Sequence, residues 1–82
     1  MDRLLVAFGR MLADARDEAS LSHADVAAAS GLTPADIAQM EAGEVDPDLA
    51  ALLSVTDAVG LHLPSVLRQL QREENNSEEG ET

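Results

Sequence analysis

Apolar residues near the start of the chain recur at intervals of three and four: Leu5, Phe8, Leu12, Ala15 and Ala19 form one stripe, with Leu4 and Met11 beside it. That spacing follows the helical period rather than the alternation of a strand, and it predicts an amphipathic first helix over about 3–19, anchored by Phe8. Start and stop signals then come in close succession. Ser22 with Asp25 three residues on reads as a carboxylate form of the capping box, and Gly31 as a left-handed stop, which predicts a second helix over 23–30. Thr33, Pro34 and Asp36 repeat the signal, and Gly43 ends a third helix expected over 34–42. Asp46 is expected to cap a fourth helix with Pro47 first, turning Leu49, Leu52, Leu53, Thr56 and Val59 inward until Gly60. A fifth helix is expected from about Leu63 to Arg72, with Leu63, Val66, Leu67 and Leu70 on its apolar face. No strand is needed, so the fold class is all-α, a five-helix bundle.

Eighty-two residues fit one small domain with a thin core, which makes self-association a reasonable expectation. The absence of cysteine excludes disulfides, thiolate metal sites and cysteine nucleophiles. No apolar run approaches the length needed to span a bilayer, so the chain is expected to be cytoplasmic with no membrane partner. Charge complicates this picture. Sixteen acids against five Arg and no Lys give a net charge of −11, the opposite of the usual phosphate-gripping footprint. Glu73, Glu74, Glu78, Glu79 and Glu81 carry −5 of it within residues 73–82, which are expected to be an acidic, disordered, solubilising tail. The domain, residues 1–72, is left at −6.

Two helices of eight and nine residues around Ser30-Gly31-Leu32-Thr33 make a helix-turn-helix signature over about 22–43. Helices so short must share Val26, Ala27, Leu32, Ile37 and Met40 with their neighbours, which leaves the other face of the third helix free. Over residues 5–70, without a gap, the chain resembles the Cro and phage-repressor type of helix-turn-helix domain, the XRE family, also called lambda-repressor-like. The resemblance rests on Gly9, Leu12 and Arg16; Leu21-Ser22 and Val26-Ala27; Gly31-Leu32-Thr33; Ile37, Met40, Glu41 and Gly43; then Pro47, Leu52, Gly60 and Leu67. It implies a homodimeric transcriptional regulator that binds a symmetric double-stranded DNA operator. It also implies a structural ion pair between Arg16 and Glu41, and docking of the third helix in the major groove.

On that docking the DNA-facing positions are His23, Thr33, Pro34, Ala35, Ala38, Gln39 and Ala42. Pro34 and Ala35 offer no hydrogen bond to a base, and Ala38 and Ala42 add only small apolar contact. Gln39 is either a reader of adenine N6 and N7 or a solvated surface amide. His23 is either a phosphate ligand or an ordinary exposed imidazole. Glu44 and Asp46 stand where basic residues are expected, Asp46 with its capping duty and Glu44 as a solvated loop residue. Arg3, Arg10, Arg68 and Arg72 lie on the first and fifth helices and form no dense patch, so any phosphate grip is expected to be weak. The competing reading is a protein-interaction module whose acidic cluster Glu41, Glu44, Asp46 and Asp48 meets a basic partner. Fifth-helix residues Val66, Gln69 and Arg72 are the candidate contact for a second copy. Neither histidine sits with a nucleophile or a metal-ligand partner, so no catalytic residue, metal or cofactor is expected.

Overall fold

The computed structural model describes residues 2–80. Five helices follow one another as α1 (Arg3–Glu18), α2 (His23–Ser30), α3 (Pro34–Glu41), α4 (Leu49–Ala58) and α5 (Leu63–Gly80), with no strand among the described residues. Leu12, Val26, Ile37, Val55 and Val66, one from each helix, are all buried to 1% exposure or less and share one core. Burying a side chain of this kind contributes roughly 1.5–3 kcal/mol. α1 packs against α3 and α5, α2 against α3 and α4, and α4 against α5, so the two shortest helices lie between longer ones.

The local signals explain most helix ends. Ser22 and Thr33 each accept from the backbone N–H three residues on, while Asp25 and Asp36 accept from the cap's own N–H, closing two capping boxes. Pro34 takes the first position of α3. α1 is capped by Asp2, whose carboxylate accepts from Leu4 N at 2.8 Å. Its far end lacks the glycine found at comparable ends. Gly43 after α3 and Gly60 after α4 are left-handed, and each is followed by a residue whose N–H reaches back five positions. After α1 the same bond, from Leu21 N–H to the Arg16 carbonyl, forms beside Ser20, at φ 58°.

Four expectations are corrected. α4 begins at Leu49 and its cap is Asp48, which accepts from Ala51 N at 2.8 Å; Asp46 and Pro47 belong to the preceding connection. Val45, packed against the core, anchors that connection and delays the helix. The inward face of α4 is Leu52, Val55, Thr56 and Val59, a stripe at helical spacing, while Leu49 and Leu53 are exposed at 67% and 49%. In α5 the same rotation buries Val66 and leaves Leu67 exposed at 51%, so Val66 is spent inside the monomer rather than on a second copy. Finally, α5, expected to end at about Arg72, runs on to Gly80. Glu73, Glu74, Glu78 and Glu79 are good helix formers, and an existing helix extends at little cost once nucleated. The last two residues of the expected acidic tail lie outside the described residues.

One contact fixes how near α1 comes to α3. A Cβ on Gly9 would stand 2.5 Å from the carbonyl oxygens of both Met40 and Glu41, so only glycine admits this approach.

The strained left-handed serine gives a simple test. Ser20→Gly relieves the Cβ clash and should raise stability by about 0.5–1 kcal/mol in urea unfolding. A loss of stability would show that Ser20 bears no strain there.

Candidate nucleic-acid interface

Glu41, the last residue of α3, points back toward the start of the motif. Its carboxylate accepts from Arg16 Nε at 2.6 Å and from Arg16 Nη2 at 3.1 Å, a forked, charge-assisted pair between α3 and α1. The remaining guanidinium nitrogen, Nη1, donates to the carbonyl of Leu21 at 2.9 Å and so ties in the connection to α2. His23, the first residue of α2, brings Nε2 to 3.1 Å from Glu41 Oε1. One carboxylate therefore gathers α1, α2 and α3. Both members of the ion pair are largely buried, with side chains only 16% and 11% exposed. Burial pushes the Glu41 carboxyl up, but the hydrogen bonds from Arg16 and His23, with their charges, outweigh it and hold the carboxyl below its ordinary range.

Clamped in this way, α3 turns Ile37 and Met40 into the core. Pro34, Ala35, Ala38, Gln39 and Ala42 are all exposed, at spacings that place them on one face. That face carries no charged side chain. Asp36, beside it, is half-buried and engaged with Thr33 N at 3.0 Å, and Thr33 spends its hydroxyl on Asp36 N at 3.1 Å. Asp25 accepts from the backbone N–H of Ser22, beside the Ser22 hydroxyl, and the two keep its carboxyl below the ordinary range. Glu44 and Asp46 are exposed in the connection after α3, and the capping duty assigned to Asp46 belongs to Asp48. Arg3, Arg10, Arg68 and Arg72 are exposed on α1 and α5, and from Ser22 to Asp48 the only basic side chain is His23.

Of the positions singled out from sequence, Arg16, Glu41 and His23 meet in one cluster, and the α3 positions share one exposed surface. Sequence reasoning had no signal for the bond between His23 and Glu41. The two residues are 18 apart, and only the crossing of α2 over α3 brings them together.

Two eight-residue helices joined at a left-handed Gly31, with the second clasped to α1 and one face free, form a helix-turn-helix. Residues 7–71 match the family described as "Helix-turn-helix domain". The chain belongs to that family. Among solved structures, this helix-turn-helix domain is similar to the clp gene regulator ClgR from Corynebacterium glutamicum. The two are 25% identical with a TM-score of 0.76, over 89% of this chain and 95% of that one. A second ClgR structure superposes with a TM-score of 0.80 at 24% identity, over 98% of this chain and 85% of that one. The restriction-modification controller protein C.AhdI from Aeromonas hydrophila is 27% identical with a TM-score of 0.71, over 76% and 94% of the two chains. No curated protein matches in sequence. The arrangement is that of the Cro and phage-repressor type. Among the described residues no group of His, Asp and Glu is placed to hold a metal ion, and no single helix is long and apolar enough to cross a membrane.

Breaking the clasp of this helix-turn-helix domain should be costly. Arg16→Met should lower stability by about 2–3 kcal/mol, because it leaves a largely buried carboxylate with His23 alone. The pair's contribution also has a sign in pH. A carboxyl lowered on folding stabilises above its unfolded value, 4.5, and loses that contribution as pH falls below it. The margin of the native chain over Glu41→Gln should accordingly be full at neutral pH and shrink below about 4.5 in pH-dependent urea melts. An equal margin at pH 3 and pH 7 would mean that Glu41 is not held ionised by Arg16.

Proposed function

We propose that this chain is a DNA-binding transcription regulator that lays α3 in the major groove and acts as a homodimer on a two-fold symmetric operator. The observation that carries the reading is the free α3 face of Pro34, Ala35, Ala38, Gln39 and Ala42, held rigid from behind and uncharged. Such a face meets base edges without like-charge repulsion, which lets a chain of net charge −11 dock where its local surface is neutral. Gln39 is the one side chain there with both a donor and an acceptor for adenine; the alanines and Pro34 offer apolar contact to thymine methyl groups. Similarity to ClgR, a gene regulator, and to C.AhdI, a controller protein, supports the same reading.

The competing reading, a module that binds a basic protein, loses much of its support. Of its acidic cluster, Glu41 lies in the clasp and Asp48 caps α4, which leaves Glu44 and Asp46. Self-association is supported by Leu49 and Leu53, one turn apart on α4, and Leu67 on α5, which among the described residues are the large apolar side chains most exposed to water.

Selection of random duplex DNA against the purified protein at roughly 50 mM salt tests the reading, since phosphate attraction is least screened there. A palindromic site should emerge, with the preference lost in Gln39→Ala while the fold remains. Recovery of no sequence by a folded protein would overturn it. In sedimentation the native chain should run as a dimer, and Leu53→Glu with Leu67→Glu should convert it to a folded monomer. A native monomer at every concentration would remove the symmetric-operator part.

A further inference from the structure

The cluster behind the helix-turn-helix gives His23 a polarity that its place in the sequence does not reveal. Its Nε2 faces an ionised carboxylate at 3.1 Å, an acceptor that demands a hydrogen on that nitrogen. A neutral imidazole has a single N–H, so in the neutral ring Nδ1 carries a lone pair. Among the described residues Nδ1 has no hydrogen-bond partner, and the side chain is 41% exposed. An unshared lone pair repels a phosphate oxygen; a second N–H with a full positive charge binds one. The ring therefore has two states with opposite effects on an anion, while its bond to Glu41 survives in both.

We propose that His23 is a charge-switched phosphate contact, so that the protein grips the DNA backbone more tightly as the pH falls from 8 to 6. This rests on the docking reading above, which turns the α2–α3 flank to the backbone. The effect is large here for a reason visible in the sequence: from Asp17 to Leu67 there is no Arg or Lys. Protonation of His23 therefore supplies the one positive side chain on α2, the turn or α3. The groups around the ring are accounted for. From α1, Arg16 shares the Glu41 carboxylate and Asp17 lies 3.4 Å from Arg16. From α3 there is Glu41 itself, and on α2 Asp25 is spent on Ser22. α4 also packs on α2, and neither its acids Asp48 and Asp57 nor Glu44 pairs with the ring. Glu41, the one acid in contact with it, is held ionised over this range by Arg16.

Binding of the duplex enriched by selection should be measured at pH 6 and pH 8 for the native chain, His23→Gln and His62→Gln, each checked for helicity. Affinity should rise about tenfold on acidification in the native chain and in His62→Gln, as one added charge-assisted bond would give. It should stay nearly flat in His23→Gln. Parallel pH dependence in native and His23→Gln would overturn the switch while leaving DNA binding intact; no binding at either pH would remove the docking reading and the switch together. The native chain supplies a second readout that needs no variant. Nitrogen-15 spectra of the ring should show hydrogen on Nε2 in the neutral form, and the His23 titration midpoint should rise when DNA is added, as linkage requires. A neutral Nδ1–H tautomer, or a midpoint unmoved by bound DNA, would sink the proposal.

Discussion

A single carboxylate sets the geometry of this domain. α2 and α3 are each eight residues long, too short to hold their relative angle by their own burial, and both are oriented by what reaches Glu41. The guanidinium of Arg16 locks α3 to α1 through two parallel bonds and spends its third nitrogen on the strand of chain leading to α2. The fork works only because the two helices come close, and they come close only because Gly9 presents no side chain to the carbonyls of Met40 and Glu41. Charge pairing and backbone proximity here are one constraint seen from two sides.

The acidity of the chain takes a different meaning once the acids are located. Asp2 and Asp48 cap α1 and α4, Asp25 and Asp36 complete capping boxes, and Glu41 closes the clasp. A carboxylate at a helix start is met by the positive end of the helix dipole, and the one in the clasp by a guanidinium. Their charge is answered locally and is not free to act as a field over the exposed face of α3. What stays uncompensated beside that face is chiefly Glu44 and Asp46 in the connection.

Much of the fold was legible because it is written locally. A cap and its box span four residues, and a stop one or two, so α2 and α3 could be placed almost to the residue. Reading failed wherever the answer depends on rotation or on a distant neighbour. Asp46 followed by Pro47 has the local form of a helix start, yet with half-buried Val45 packed against the core the cap falls two residues on, at Asp48. Leu49 and Leu53 are more hydrophobic than the surface requires, so periodicity alone drew them inward, whereas the core selects the stripe through Val55. Val66 and Leu67 are adjacent and equally plausible until α5 meets α1 and α4. The partners of the clasp could be named from a family resemblance, but the addition of His23 belongs to tertiary structure alone.

The side chains of Ala35, Ala38, Gln39 and Ala42 are exposed and make no capping bond and no ion pair. Everything that makes α3 a helix and holds it in place lies on its opposite face or at its ends. On the proposed docking, the instructions for folding and those for recognition are therefore written on separate letters of the same short segment. Such a segment can be rewritten for a new target, one exposed residue at a time, without asking the scaffold to fold again.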